Sequence, residues 1–299
     1  CQNSIIFDNI LNNTQMKNLF SFLITGLLCI SAFSQETNEM ESTGLPGDHF
    51  DLQGALDLFQ KAESPEDFER LINTEANHVN NLDINGDGEI DYVKVISKNE
   101  GNVHVFVLQV PLSENENQDI AVIELEKTKE NEAGIQIIGD EDIYGEEIIL
   151  EPSDTDDEQY NYSDKDGNAE MRTNPTIVNV WMWPSVRYVY TPAYRPWVST
   201  WRWRSYPVWW KPWRPLSWSV WHPFRLRNHT HFYRIGHTHR AIRAHNIYRP
   251  GRVTSVSVRT RYAGAHNNYK ISRSKTKITG PRGNTVTKKN TTIKGPGGK

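Results

Sequence analysis

The stretch Asp83-Ile84-Asn85-Gly86-Asp87-Gly88-Glu89-Ile90-Asp91 decides how the rest of the chain is read. Side chains bearing oxygen recur at Asp83, Asn85, Asp87 and Asp91, and the backbone carbonyl of Glu89 fills the remaining odd place. Ligands then stand at loop positions one, three, five, seven and nine, the pattern a hard cation requires. Gly88 falls at the sixth position, where the chain turns sharply about the ion, and apolar Ile90 at the eighth can anchor the loop to a core. The spacing predicts a Ca2+ site formed by Asp83, Asn85, Asp87, Glu89 and Asp91. Three carboxylates on one tight turn repel each other without a cation. The competing reading is a metal-free turn built on Asn85-Gly86 and Asp87-Gly88, both strong turn dipeptides. Beyond the loop, Tyr92, Lys94 and Ile96 alternate with Val93, Val95 and Ser97 at period two, so the loop feeds a strand.

Over its nine residues the loop resembles the D-x-N-x-D-G-x-x-D loops of dockerin, thrombospondin type 3 and integrin FG-GAP modules. It departs from the EF-hand at the twelfth position, where a bidentate Glu is replaced by Lys94, a cation that cannot ligate.

Upstream, Phe50, Leu52, Ala55, Leu56 and Phe59 recur at near-helical spacing and predict a helix over 49–61. Ser64-Pro65-Glu66-Asp67 reads as a capped helix start, with Phe68, Leu71 and Ile72 on one face. Downstream, strands are expected at 103–110, ending at Pro111, and at 120–126, 135–138 and 148–150. In the third of the chain's strands, Ile120, Val122, Glu124 and Glu126 alternate with Ala121, Ile123 and Leu125, which predicts one wet face. Two short helices followed by a meander predict an α+β domain over 48–152 with an antiparallel sheet of about five strands. The strings from Val79 to Gly88, QDIAVIELEK from Gln118 to Lys127, Ile138-Gly139-Asp140 and Tyr144-Gly145 resemble a group of uncharacterised secreted bacterial proteins whose members tend to carry an aromatic, Pro-rich tail. That resemblance implies an extracytoplasmic home and carries no reaction and no catalytic residue.

Residues 1–15 read as untranslated sequence ahead of Met16. Residues 16–34 read as a signal peptide: Lys17, an apolar core from Leu19 to Ile30, and Ala32-Phe33-Ser34 as a cleavage site. Cys1 and Cys29 both precede the cut, so the exported chain would carry no disulfide. No later apolar run reaches the length of a membrane-spanning helix. The expected location is periplasmic, outer-surface or extracellular.

The net charge of -4 conceals a separation. All 37 Asp and Glu lie at or before Glu170, while 8 Lys and Arg precede residue 171 and 25 follow it, giving net charges of -29 and +25 on the two sides. Residues 153–175 read as an acidic linker, in which Asp164-Lys165-Asp166-Gly167-Asn168 is a solvated turn. All ten Trp fall in the segment 176–224, interleaved with Arg and Pro, and the prolines exclude a long helix. An extended or partly disordered arm is expected, with short strands at 177–183 and 187–190. VWWKPWRP, from Val208 to Pro215, resembles membrane-active peptides rich in Trp, Pro and Arg.

Rings beside cations suit anionic envelope lipid or polysaccharide, and single-stranded nucleic acid less well in an exported protein. The alternative is that the basic arm docks on its own acidic domain. Residues 225–299 read as a flexible basic tail containing His229-Thr230-His231 and His237-Thr238-His239, pairs that suit zinc or copper on a strand but lack acidic neighbours in sequence. Phosphate-loop, G-x-S-x-G and H-E-x-x-H patterns are absent, and the expected protein is not an enzyme.

Overall fold

The computed structural model describes residues 42–153, 178–227, 232–236, 238–273, 275–279 and 285–289. The signal-peptide segment, the Asp164 turn, the His229-Thr230-His231 pair and His237 lie outside the described residues. In chain order the elements are α1 (Leu52–Lys61), α2 (Pro65–Ile72), β1 (Lys94–Glu100), β2 (Val103–Pro111), β3 (Asn117–Lys129), β4 (Glu132–Gly139), α3 (Glu141–Tyr144) and β5 (Ile148–Ser153). They continue with α4 (Pro184–Val189), α5 (Trp218–Arg227), β6 (Phe232–Gly236), α6 (Ile242–Tyr248), α7 (Val256–Arg261), α8 (Ala263–Arg273), β7 (Lys275–Thr279) and β8 (Thr285–Lys289).

The acidic half folds as an α+β unit, the class its patterning predicts. Ser64 caps α2 by accepting the Asp67 N–H at 3.1 Å, and Pro65 takes the first helical position, where a missing N–H costs nothing. The apolar stripes of α1 and α2 lie on one face of an antiparallel sheet of order β1-β2-β3-β4-β5-β6. There Phe59 meets Phe68 edge-on with ring centroids 5.2 Å apart, and Phe106 at 5.0 Å. Phe106, Leu108, Ile123, Leu125 and Ile137 of the sheet complete this core.

The opposite face is not wet. Val103, Val105, Val107, Val122, Ile138 and Ile149 form a second core, covered by Ala241, Ala244 and Tyr248 from the basic half. Helix α6 roofs the strands there, so Glu124, expected to meet water, is sealed at 0% exposure. Local alternation gave the right two faces of β3. It could not say that a segment more than a hundred residues later would dry one of them.

The arm likewise differs from an extended chain. Where strands are expected at 177–183 and 187–190, residues 178–183 run as loop and turn, and α4 takes in most of the second stretch. Pro184 starts it with Trp183 as an extended cap, so Arg187, Tyr188 and Val189 lie on a short helix. Further along, Trp197 and Ser199 close the outer edge of β1: Ser97 N–H donates to the Trp197 carbonyl at 2.7 Å, and Ser199 N–H to that of Val95 at 3.1 Å. Strand β6 pairs with β5 at the other edge, in register Leu150↔Ile235. Where a flexible tail is expected, the described residues form α6, α7, α8 and a β7–β8 hairpin.

Charge complementarity reinforces this docking. Arg240 meets Glu151 at 2.6 Å, Arg243 meets Glu126, and Arg252 reaches Asp140, Glu141 and Asp142 at once. The Asp140 carboxylate, outweighing the cost of burial, holds the Arg252 guanidinium above its ordinary range. Burial pushes the Asp140 carboxyl up, with Arg252 pulling against it. No helix of the described residues is long and apolar enough to cross a membrane.

Candidate metal centres

The nonapeptide loop is closed by its own backbone. Asp83 Oδ1 accepts from Gly86 N–H at 2.7 Å and Asp87 N–H at 3.0 Å, while its Oδ2 accepts from Gly88 N–H at 3.0 Å. Asn85 Oδ1 accepts from Asp87 N–H at 2.8 Å, and Asp87 Oδ1 from Glu89 N–H at 3.0 Å. Gly86 and Gly88 adopt φ of +72° and +84°, the left-handed backbone such a turn needs. Ile90 is buried, as its place in the loop predicts, and Ile84 is buried beside it, so the loop is anchored at both ends.

The five residues read as ligands do not play equal parts. Asp91 Oδ2 accepts the Ile84 N–H at 2.6 Å, and Asn85 Nδ2 stands between Asp91 Oδ1 at 2.9 Å and Asp87 Oδ2 at 3.1 Å. Burial, with the Asp83 and Asp87 charges adding to it, pushes the Asp91 carboxyl up to about 7. The Glu89 side chain is exposed, consistent with a role for its carbonyl alone. The donor set is oxygen throughout, which fits a hard cation, and the Asn85 amide hydrogens occupy the point where two carboxylates converge. The arm also reaches this loop. A side chain at Gly86 would collide with the Arg261 guanidinium, the Tyr262 hydroxyl donates to the Asp83 carbonyl at 3.4 Å, and Ile90 N–H donates to the Trp213 carbonyl at 2.8 Å.

A second cluster lies on the roofed face of the sheet. Among the described residues, one group of three side chains gathers its metal-ligand atoms within 4.8 Å of each other, and it is Glu124, His239 and His245. Strand β3 supplies Glu124, paired with Val105 on one side and Gln136 on the other. The turn after β6 supplies His239, and α6 supplies His245. His245 Nδ1 lies 3.3 Å from Glu124 Oε1 and His239 Nδ1 lies 3.9 Å from Oε2, while the two imidazole centroids are 4.0 Å apart. His239 Nε2 is 3.0 Å from Glu147 Oε2. Burial, followed by the Glu147 charge, pushes the Glu124 carboxyl up to about 8.

No protein family, curated protein or solved structure matches this chain.

In the sequence His239 has no acidic neighbours. Those neighbours come from the other half of the chain: Glu147 stands 92 residues away in sequence. Glu124 carried a faint signal, a carboxylate at mid-strand flanked by Val122 and Glu126, but on a face read as wet it was unremarkable.

Proposed function

We propose that this chain is an exported, non-enzymatic structural protein of the cell envelope whose basic half completes the fold of its acidic half. A Ca2+ ion held by Asp83, Asn85, Asp87, Glu89 and Asp91 steadies the loop between the helices and the sheet. The observation that carries this reading is the threefold capture of Arg252 by Asp140, Glu141 and Asp142: this arginine, like Arg240 and Arg243, is spent on the chain's own acids. A protein that fills its charge in this way has less left for a foreign anion.

Hydrogen exchange on the full chain tests it. The Asp119 amide, bonded to the Val253 carbonyl at 2.9 Å, and the Ser199 amide should stay protected in dilute buffer and in 1 M salt. Free exchange at both amides while the β2 and β3 amides remain protected would refute the docked arm.

A second reading rests on a different feature. At the turn Arg202–Ser205, closed by mutual hydrogen bonds of 3.1 and 2.9 Å, Arg204 adopts φ +57° and its guanidinium lies 4.4 Å from the Trp203 ring centroid. Val208 and Trp209, 99% and 52% exposed, extend the same ridge. A cation on an indole beside bare apolar groups suits anionic envelope lipid or polysaccharide, with single-stranded nucleic acid third in rank. Sedimentation with vesicles of anionic or neutral phospholipid separates these readings. Anion-dependent binding lost in the Trp209→Ala chain supports the ridge, and equal recovery with both vesicle types removes it.

A further inference from the structure

Glu124 lies in the middle of a six-stranded sheet with both carboxylate oxygens sealed from solvent and no hydrogen-bond donor on either. The Nδ1 atoms of His239 and His245 face those oxygens and are likewise buried without a partner. Four polar atoms converging with none satisfied is an arrangement that folded proteins avoid. A shared cation would satisfy all of them at once.

We infer that Glu124, His239 and His245 form a binding site for a divalent transition-metal ion of the zinc type. The Glu124 carboxylate and the Nδ1 atoms of the two imidazoles would supply the ligands, and Glu147 would hold His239 from behind. Ligands about 2.0 to 2.1 Å from a tetrahedral zinc ion stand about 3.3 to 3.4 Å from each other. The His245–Glu124 pair is already at 3.3 Å, and the His239–Glu124 pair, at 3.9 Å, has about half an ångström to close. Mixed imidazole and carboxylate donors select a borderline metal over Ca2+, so this site and the oxygen-only loop would take different ions. The contact from His239 Nε2 to Glu147 is the outer carboxylate that orients a metal-bound imidazole and fixes its tautomer. Around the site, Gln136 accepts the Arg240 N–H through Oε1, and its Nε2 donates to Glu151 and to the Thr238 carbonyl, which pins the turn that carries His239. Arg240 and Arg243 are turned to Glu151 and Glu126, which keeps both cations paired beside the ion.

Two of the three ligands come from the basic half, so the inference rests on the docked arm, and the ion would bolt that half to β3. The test uses the full chain, stripped with a chelator and dialysed against Zn2+ alone. Wild type should hold one more zinc per chain than either Glu124→Gln or His245→Ala, and zinc should raise the melting temperature of wild type only. Glu147→Gln should weaken the same binding by about 10- to 100-fold. Co2+ in place of zinc should give the intense visible bands of a tetrahedral site in wild type and lose them in Glu124→Gln, a near-isosteric change that spares the packing.

Equal zinc content in wild type and both ligand variants would overturn the site. Hydrogen exchange of the α6 amides separates the two failures. Protected amides with no zinc bound overturn the metal site and leave the docked arm standing, whereas free exchange with and without zinc overturns both.

Discussion

Trp197 Nε1–H donates to Oε2 of Glu69 at 3.0 Å, and this bond ties the arm to the second helix of the acidic half. The carboxylate also accepts from Val95 N–H, the Tyr92 hydroxyl and the Ser199 hydroxyl, each at 2.8 Å, while it is almost wholly buried. Four donors aimed at one carboxylate leave no place for an amide's own hydrogens. Glu69→Gln should therefore cost about 3 kcal/mol, as donors lose a charged acceptor and others face an N–H₂. Trp197→Phe, which removes a single donor, should cost about 2 kcal/mol. Urea denaturation gives both numbers, and a Gln variant as stable as wild type would contradict the four-donor geometry.

Arg252 offers a second measurement of the same seam. Its guanidinium is mostly buried against an Asp140 side chain that is almost fully covered. Removing one partner of such a pair strands the other, so Arg252→Ala should cost about 3 to 5 kcal/mol. Arg252→Lys should recover only part of that loss, because an ammonium cannot form the fork that Asp140 and Asp142 share. Thermal unfolding of the three proteins under one buffer checks the order.

His104 on β2 gives a pH signature. Its ring stacks on Phe106, and the edges of Tyr190 and Tyr194 close over it. Burial alone pushes the imidazole down to about 4. The unfolded chain takes up a proton near pH 6.5 and the folded chain does not until about 4. The stability tied to His104 is thus fully present above pH 6.5, drains away as the pH falls toward 4, and amounts to about 3 kcal/mol. His104→Phe should flatten that part of the curve. The difference between the wild-type and variant profiles isolates this ring from carboxyls titrating in the same range, and parallel profiles would refute it.

The calcium reading predicts a response to chelation. With a dissociation constant near 10⁻⁴ M, about 1 mM Ca2+ adds roughly 1.4 kcal/mol. In the Glu124→Gln chain, which lacks the inferred zinc site, EGTA should then lower the melting temperature by about 3 to 5 °C over a folded region of this size. In that chain Ca2+ should restore it and Zn2+ should not. Asp87→Ala should melt at the EGTA value with or without Ca2+. Gly88, whose φ is +84° with open space beyond it, isolates the backbone: Gly88→Ala should cost about 1 kcal/mol from the left-handed conformation alone.

The acidic half was legible because its rules are local. The cap at Ser64 and the period-two runs that became β1 to β5 depend on neighbours a few residues apart. The same is true of the loop's turn chemistry at Gly86 and Gly88. The basic half answers to partners across the chain. His245 and Ala244 carry no pattern by themselves, and β6 has no mate until β5 is built. Only the imbalance of charge, acids gone after Glu170 and cations crowded beyond it, pointed toward the docking that organises this half. The Glu124, His239 and His245 cluster was illegible for the same reason, since its members meet only once α6 is in place.

Both borders of the central sheet are finished by late sequence: Trp197 to Ser199 along β1, and β6 along β5. As the chain is made from its N-terminus, residues 42–153 would wait with two raw strand edges and a bare valine face until residues up to 248 arrive. Such an intermediate is adhesive. A product cut short at the linker would accordingly be a clumping hazard and not a smaller working unit, and a helper that shields nascent chains during synthesis would matter more to this protein than to one whose early segments close by themselves.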